Sequence, residues 1–281
     1  MRNELITRLN PKSPVSEIYR TLRTNIQFMN KKMKTLLITS STPGEGKSTI
    51  AANLAITFAQ AGKKVIIVDA DMRKGRQYSI FEIAMKPGLS NYLASDNESI
   101  DKFIQTTDEE NLYVMASGSI PPNPSELLIS PQMQGLIHNL SETFDIVIID
   151  GTPCELVTDS VIISRVVDST VIVVESNKTT KACLDKTIKG IQNVGGKIAG
   201  IVLNKAAINK RKYENSYYSH NSLTTTKNRY QGRFCSDEKS NINASADNLK
   251  SKDESNEANK TDNSTENILK QVNDYLNRST K

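Results

Sequence analysis

The segment Ser41-Thr42-Pro43-Gly44-Glu45-Gly46-Lys47-Ser48-Thr49 constrains this chain more than any other. It follows the apolar run Leu36-Leu37-Ile38 and precedes the helical pattern Ile50-Ala51-Ala52-Asn53-Leu54-Ala55. Strand, glycine-rich turn, Lys-Ser and helix, in that order, are the layout of a phosphate-binding loop. The glycines let successive backbone N–H groups point into one concavity, and the positive end of the following helix adds to the pull on phosphate oxygens. Lys47 is expected to reach the terminal phosphates and Ser48 to hold magnesium. The first glycine of the usual pattern is replaced by Ser41.

Two acidic sites fit the same layout. Val65-Ile66-Ile67-Val68 runs into Asp69-Ala70-Asp71-Met72-Arg73, and Ile146-Val147-Ile148-Ile149 runs into Asp150-Gly151-Thr152-Pro153. Open parallel sheets bind ligands beyond the carboxyl ends of their strands. Lys47, Asp69, Asp71 and Asp150 are therefore expected to converge at one edge. A single Asp there is as well explained as a turn former; three of them, at the ends of buried strands beside a phosphate loop, are not.

The strands read as continuous Val/Ile runs, as strands covered on both faces do, and imply a mostly parallel sheet with crossover helices. The expected fold is α/β, of the P-loop NTPase type, with helices on both faces of the central sheet and a disordered C-terminal tail. Expected elements are a helix over Pro14 to Asn30, with Ile18, Leu22, Ile26 and Met29 as its apolar stripe, and helices over 47–61, 89–93, 99–104, 126–129, 131–143 and 179–194. Strands are expected over 34–39, 64–69, 111–115, 145–150, 169–175 and 197–203, and an irregular stretch over 73–88. Residues 1–210 form the expected nucleotide-binding domain with an N-terminal assembly helix. Residues 211–235 form a basic, tyrosine-containing arm, and 236–281 a polar, mostly disordered tail with a short helix over 266–278. Ser, Asn, Thr, Lys, Asp and Glu dominate that tail, which has too little apolar surface to offset its ordering entropy.

The chain has 281 residues and a net charge of +5. No apolar run approaches the roughly 20 residues needed to span a bilayer, and the start lacks the apolar core of a signal peptide. A cytoplasmic protein is expected. Cys154, Cys183 and Cys235 have no paired spacing, so neither a disulfide framework nor a zinc site is expected. Two histidines, His138 and His220, leave little room for a Ser-His or Cys-His hydrolase. Basic residues crowd the stretch from Lys205 to Arg233. Such a run serves either as a solvated arm or as a surface for nucleic acid, acidic lipid or an acidic partner; with few aromatics for base stacking, no nucleic-acid partner is expected.

Taken together, five motifs resemble those of the bacterial tyrosine kinases of capsule and exopolysaccharide assembly. These are the loop from Ser41 to Thr49, Val68-Asp69-Ala70-Asp71-Met72-Arg73 (the family's second Walker motif), and Ile148-Ile149-Asp150 (its Walker B). The others are Glu17-Ile18-Tyr19-Arg20-Thr21-Leu22-Arg23, similar to its Glu-x-x-Arg-x-x-Arg assembly motif, and Pro121-Pro122-Asn123-Pro124-Ser125-Glu126-Leu127-Leu128. The resemblance spans residues 13 to 218. Two departures stand out. Gly-Thr-Pro-Cys follows Asp150 where the family often has Thr-Pro-Pro, and Tyr213, Tyr217, Tyr218 and Tyr230 are fewer and more spread than the family's terminal tyrosine cluster.

The resemblance implies ATP and Mg2+ as ligands, with Pro43, Gly44, Glu45, Gly46, Lys47, Ser48, Thr49 and Asn204 around the nucleotide. Ser48, Asp71 and Asp150 hold the metal, and Lys47, Asp69, Asp71, Arg73 and Asp150 carry the chemistry, with Asp69 orienting the tyrosine hydroxyl and accepting its proton. An Asp near its ordinary pKa of about 4 is a poor base for a phenol near 10. Arg73 either stabilises phosphate charge or anchors the carboxylates. Asn204 either contacts adenine or is a strand-end turn residue. The resemblance also implies a ring-shaped homo-oligomer built through Glu17, Arg20 and Arg23, and autophosphorylation at Tyr213, Tyr217, Tyr218 and Tyr230. As in the family's split form, a separate transmembrane activator (chain-length regulator) recruits the kinase to the inner face of the membrane. The rival readings are a partitioning or division-site ATPase switch, which usually carries a lysine where Thr42 stands, and a nucleotide-binding scaffold of polysaccharide assembly.

Overall fold

The computed structural model describes residues 4–95 and 98–206. Alternation along the apolar runs decides the layering. Successive side chains of a strand point to opposite faces. Leu36, Ile38, Val65, Ile67, Ile148, Val171 and Val173 enter one core. Leu37, Ile66, Val68, Val147 and Ile149 enter a second core on the other face, and Ile172 and Val174 enter a third, smaller cluster.

The strands are β1 (Thr35–Ser40), β2 (Val65–Asp69), β3 (Gln105–Thr106), β4 (Leu112–Met115), β5 (Ile146–Pro153), β6 (Ser169–Glu175) and β7 (Ile198–Asn204). They form one sheet in the order β3-β4-β2-β5-β1-β6-β7. Every pairing is parallel except that of the short edge strand β3 with β4. The mostly parallel α/β fold is thus as expected. β5 runs past Asp150 to Pro153, which lies opposite Ser40 beyond an irregularity in β1.

The helices are α1 (Ile6–Leu9), α2 (Pro14–Met29), α3 (Lys47–Gln60), α4 (Gln77–Ile80), α5 (Leu89–Leu93), α6 (Pro124–Ile129), α7 (Pro131–Thr143), α8 (Asp159–Ser164) and α9 (Lys181–Asn193). The 99–104 helix is a single 3-10 turn, Ile100–Phe103. Ser13 caps α2 by accepting the Ser16 N–H, with Pro14 at its first position, where a missing N–H costs nothing. α3 is apolar nearly all round and buried almost throughout, because it lies between the sheet and α1 and α2. Its buried Asn53 is satisfied by Thr7, Glu4 and Thr49.

The apolar stripe of α2 is only partly inside. Ile26 is buried, Tyr19 and Leu22 pack against the core, and Ile18 and Met29 are exposed. Burial pushes the Tyr19 phenol up to about 12. Helices α1, α4 and α8 and strand β3 go beyond the expected elements. The 211–235 arm, the 236–281 tail and the helix expected over 266–278 lie outside the described residues.

Candidate functional site: a phosphate loop facing paired carboxylates

The turn after β1 is built on two glycines in the left-handed region, Gly44 at φ +83° and Gly46 at φ +94°, a conformation open to glycine and costly for other residues. At Gly46 a methyl group would meet Asn204 Nδ2 at 2.2 Å. The loop is braced from several sides. The buried Glu45 carboxylate accepts the Thr42 N–H at 2.9 Å and the Thr179 hydroxyl. Asn204, at the end of β7, donates from Nδ2 to the Glu45 carbonyl at 2.7 Å. Lys205 Nζ donates to the Gly44 carbonyl at 2.9 Å. Asn204 therefore touches the loop itself, and the Glu45 carboxylate is engaged within the loop's support.

Lys47 opens α3. Its Nζ lies 3.2 Å from Asp71 Oδ2 and 3.4 Å from Asp150 Oδ1, and 3.2 Å from Ser48 Oγ. Burial pulls the pKa of this ammonium down, but Asp150 and Asp71 outweigh it, so the net shift is upward. The cation stays charged inside the fold.

Asp69 and Asp150 are register partners on the neighbouring strands β2 and β5. Both share the alternation of Ile67 and Ile148, which places them on the α3 face with Lys47. Both are 0 % exposed. Asp69 Oδ2 accepts the backbone N–H groups of Arg76 at 2.8 Å and Gln77 at 2.9 Å, and Oδ1 accepts that of Asp71 at 3.2 Å. Burial, and then the facing Asp150 charge, push the Asp69 carboxyl up to about 8; the Gln77 N–H and Lys47 pull the other way without offsetting them. The ordinary pKa near 4 assumed from sequence is corrected here, because that value belongs to a solvated carboxylate with no like charge beside it.

Arg73 is committed to an anchor that the sequence did not reveal. Its Nε donates to Asp159 Oδ2 at 3.1 Å, and its Nη2 lies 3.4 Å from Ser125 Oγ. Gln77 was also missed. Its Nε2 donates to Asp150 Oδ2 at 2.8 Å and to the Ser48 carbonyl at 3.1 Å, linking Walker B, loop and β2 turn. Nothing in a lone glutamine within an irregular stretch marks it in advance. Asp159 did carry a signal, since Thr158-Asp159 ahead of an apolar run is a helix start.

A cavity of about 290 Å³ opens at this edge, lined by Gly44, Lys47, Ser48, Asp71, Arg73 and Thr152 among others. Among the described residues, no group of three or more His, Cys, Asp or Glu could hold a metal ion unaided. Magnesium does not need such a cage, because it keeps several waters and takes one or two carboxylates plus phosphate oxygens. The left-handed glycines, the charged Lys47, the Ser48 hydroxyl and the Asp71 and Asp150 carboxylates fit a magnesium–nucleotide triphosphate.

Two other expectations fare differently. Glu17 and Arg20 pair with each other on α2, and Arg20 also donates to the Pro11 carbonyl at 2.7 Å. Arg23 turns inward, donating from Nη1 to the Thr57 carbonyl on α3 at 2.5 Å. Cys154 lies 3.2 Å from the Thr39 hydroxyl, and burial pushes its thiol up to about 11, far from the thiolate a redox role needs. Tyr213, Tyr217, Tyr218 and Tyr230 lie outside the described residues. Among the described residues no helix is long and apolar enough to cross a membrane.

Comparison with known proteins supplies the context. The family model described as an AAA domain matches residues 33–200. Tyrosine-protein kinase YwqD of Bacillus subtilis (strain 168) is 41% identical over 220 residues, which span 78% of this chain and 92% of that protein. Among solved structures, the chimerical protein CapA2B2 superposes with a TM-score of 0.70 at 42% identity, covering 73% of this chain and 91% of the other. The kinase domain of Escherichia coli tyrosine kinase ETK superposes with a TM-score of 0.68 at 31% identity, covering 73% and 82%.

Proposed function

The chain belongs to the bacterial tyrosine-protein kinase family, and from that premise we propose that it phosphorylates tyrosines in the C-terminal segments of neighbouring copies of itself, in the control of capsular or exopolysaccharide synthesis. The observation that carries this reading is the register pairing of Asp69 with Asp150, with Lys47 bound to Asp150 and Asp71 at the mouth of the phosphate loop. A switch ATPase needs the loop and a metal site; a buried carboxyl raised toward neutrality beside them suits an acceptor for a phenol proton.

In this reaction the bond from the terminal phosphorus of ATP to its bridging oxygen breaks, and a bond to the phenol oxygen forms. The phenol proton passes to Asp69. In a loose transition state the proton leaves late, so orientation counts for more than basicity. Burial still helps, because a general base is most effective with a pKa near the working pH. Lys47 neutralises charge on the transferring group. Ser48, Asp71 and Asp150 hold magnesium, which shields the phosphate oxygens. Asn204 contacts the adenine; its bond to the Glu45 carbonyl, which holds it against the loop, supports a place beside the nucleotide.

The acceptor tyrosines are Tyr213, Tyr217, Tyr218 and Tyr230, on an arm over 211–235 that follows the catalytic domain and precedes a tail over 236–281. Assembly into a ring uses α2. Its exposed Val15, Ile18, Phe28 and Met29 supply apolar contact area, and Glu17 and Arg20 supply charge. Arg23, bound to α3, fixes the helix to its own subunit. A separate transmembrane activator recruits the kinase to the inner face of the membrane; the likeness to a chimerical protein supports a two-part system.

The test is incubation with ATP and magnesium, with and without the cytoplasmic tail of a candidate activator, followed by mass spectrometry. Phosphate on the four tyrosines, lost in Lys47→Met and Asp69→Asn, is expected. ATP consumption with no phosphotyrosine under either condition favours the switch. A Lys47→Met variant that retains polysaccharide function favours the scaffold.

A further inference from the structure

Three distant segments meet beside the cavity. Arg73 closes the Asp-x-Asp-x-Arg run after β2, Ser125 lies in the proline-rich stretch 121–128, and Asp159 opens α8. The Asp159 side chain is buried, 1 % exposed. It accepts the Arg73 Nε–H at 3.1 Å on one oxygen and the Ser125 hydroxyl at 2.5 Å on the other. Arg73 Nη2 also approaches Ser125 Oγ at 3.4 Å.

A buried carboxylate is tolerated only when paired and hydrogen-bonded. Asp159 and Ser125 therefore grip one edge of a rigid, planar guanidinium, and gripping one edge fixes the orientation of the rest. Arg73 Nη1 makes no hydrogen bond or ion pair among the described residues. Arg73 remains 41% exposed and lines the cavity with Lys47, Ser48 and Asp71.

We propose that Asp159 and Ser125 are positioning residues that hold the free edge of Arg73 toward the phosphoryl group in transfer, where it stabilises charge that develops in the transition state. This rests on the kinase reading for where that group lies. The proline-rich stretch thereby acquires a role, since Pro124, buried at the start of α6, sets the turn that delivers Ser125 to Asp159. The competing possibility is a bridge that merely ties α6 and α8 to the β2 turn.

Catalytic positioning and plain structure differ in what they do to two ligands. A group acting only in the transition state adds little to ground-state binding. Calorimetry with ADP–magnesium and with ADP–magnesium plus aluminium fluoride, a mimic of the transferring phosphoryl group, separates them. The proteins are wild type, Arg73→Ala, Asp159→Asn and the double variant. ADP affinity is expected to stay within about threefold, while Arg73→Ala and Asp159→Asn each lose about tenfold or more for the fluoride complex. The double variant should bind that complex no more weakly than Arg73→Ala, because the two residues act through one group. Losses that multiply in the double variant overturn the proposal. So does an Asp159→Asn protein that binds the fluoride complex like wild type, or one in which both ligands weaken together. Should Asp159→Asn fail to fold, Ser125→Ala takes its place, with a loss of about threefold confined to the fluoride complex, and an equal loss for ADP counting against the proposal. A wild type that binds the fluoride complex tightly in this Arg73-dependent way, yet never forms phosphotyrosine, refutes the kinase reading and supports the positioning role.

Discussion

Replacing Asp69 by asparagine should stabilise the empty domain, and do so more at higher pH. In the folded state burial and the facing Asp150 hold the Asp69 carboxyl up at about 8; in the unfolded chain it returns to about 3.9. A carboxyl with a raised folded pKa contributes fully below its unfolded value, and the contribution is lost as pH climbs toward the folded value. Between those limits the folded state keeps a proton that the unfolded state has released, so each pH unit costs about 1.4 kcal/mol. An asparagine in place of Asp69 keeps an oxygen for the backbone N–H groups of Arg76 and Gln77 and carries no charge at any pH.

The stability gained by the variant should therefore grow by roughly 3 kcal/mol between pH 5 and pH 7. The quantity to follow is this difference between the two proteins and not a single midpoint. Urea unfolding of both proteins at pH 5, 6 and 7, without nucleotide, measures it, and titrations common to both cancel. Parallel stability curves across that range would refute the reasoning, because they would mean that Asp69 titrates normally despite its burial.

Gln77→Leu removes the donor shared by Asp150 and the Ser48 carbonyl; a loss of about 1–3 kcal/mol in urea unfolding is expected, with a clear fall in phosphotyrosine formation. Arg23→Met keeps the apolar stem but drops the bond to Thr57, costing about 1 kcal/mol, whereas Glu17→Gln, which loses only the surface pair with Arg20, costs less than about 0.5 kcal/mol; an Arg23→Met cost no larger than that would overturn the inward assignment of Arg23. Gly46→Ala combines a left-handed backbone with a methyl 2.2 Å from Asn204, and calorimetry should find ADP binding weakened by about tenfold or more.

The convergence of Lys47, Asp69, Asp71 and Asp150 was legible because each followed an apolar run and the sheet is parallel. Strand ends in such a sheet share one edge, so no long-range knowledge was needed. Side-chain alternation adds that Asp69 and Asp150 lie on the α3 face, which the runs encode but which needs the position of α3 to interpret. The environment of Asp69 was not legible. Its raised carboxyl depends on β2 lying next to β5, an adjacency between residues 81 apart that no local pattern records. The inward turn of Arg23 escaped for a related reason: helical spacing groups Glu17, Arg20 and Arg23, but whether a long stem lies outward or over α3 is decided by the packing partner. Gln77 was invisible, and Ser125 and Asp159, one inside a motif and the other at a helix start, gave no sign of meeting at Arg73, which is distant from both in sequence.

Setting two carboxylates side by side on adjacent buried strands weakens the nucleotide-free domain, and the same adjacency leaves Asp69 mostly protonated until the pH approaches about 8, so that the ionised form able to accept a phenol proton grows as pH rises through neutrality. Stability and activity should therefore move in opposite directions at this position: Asp69→Asn is expected to be the better-folded protein and the inactive one. Lys47 tempers the conflict without removing it, because its contacts run to Asp71 and Asp150 and leave Asp69 to the backbone N–H groups of the β2 turn. Those three N–H groups come from Asp71, Arg76 and Gln77, so the turn that follows β2 supports the proposed base. Gly75 sits within that turn, where an added methyl would lie 2.8 Å from Asp69 Oδ2 and 2.2 Å from Ser117 Oγ. A side chain at position 75 must therefore displace both Ser117 and the Asp69 carboxylate, and disturbs the proposed base without touching the Gly44–Gly46 turn.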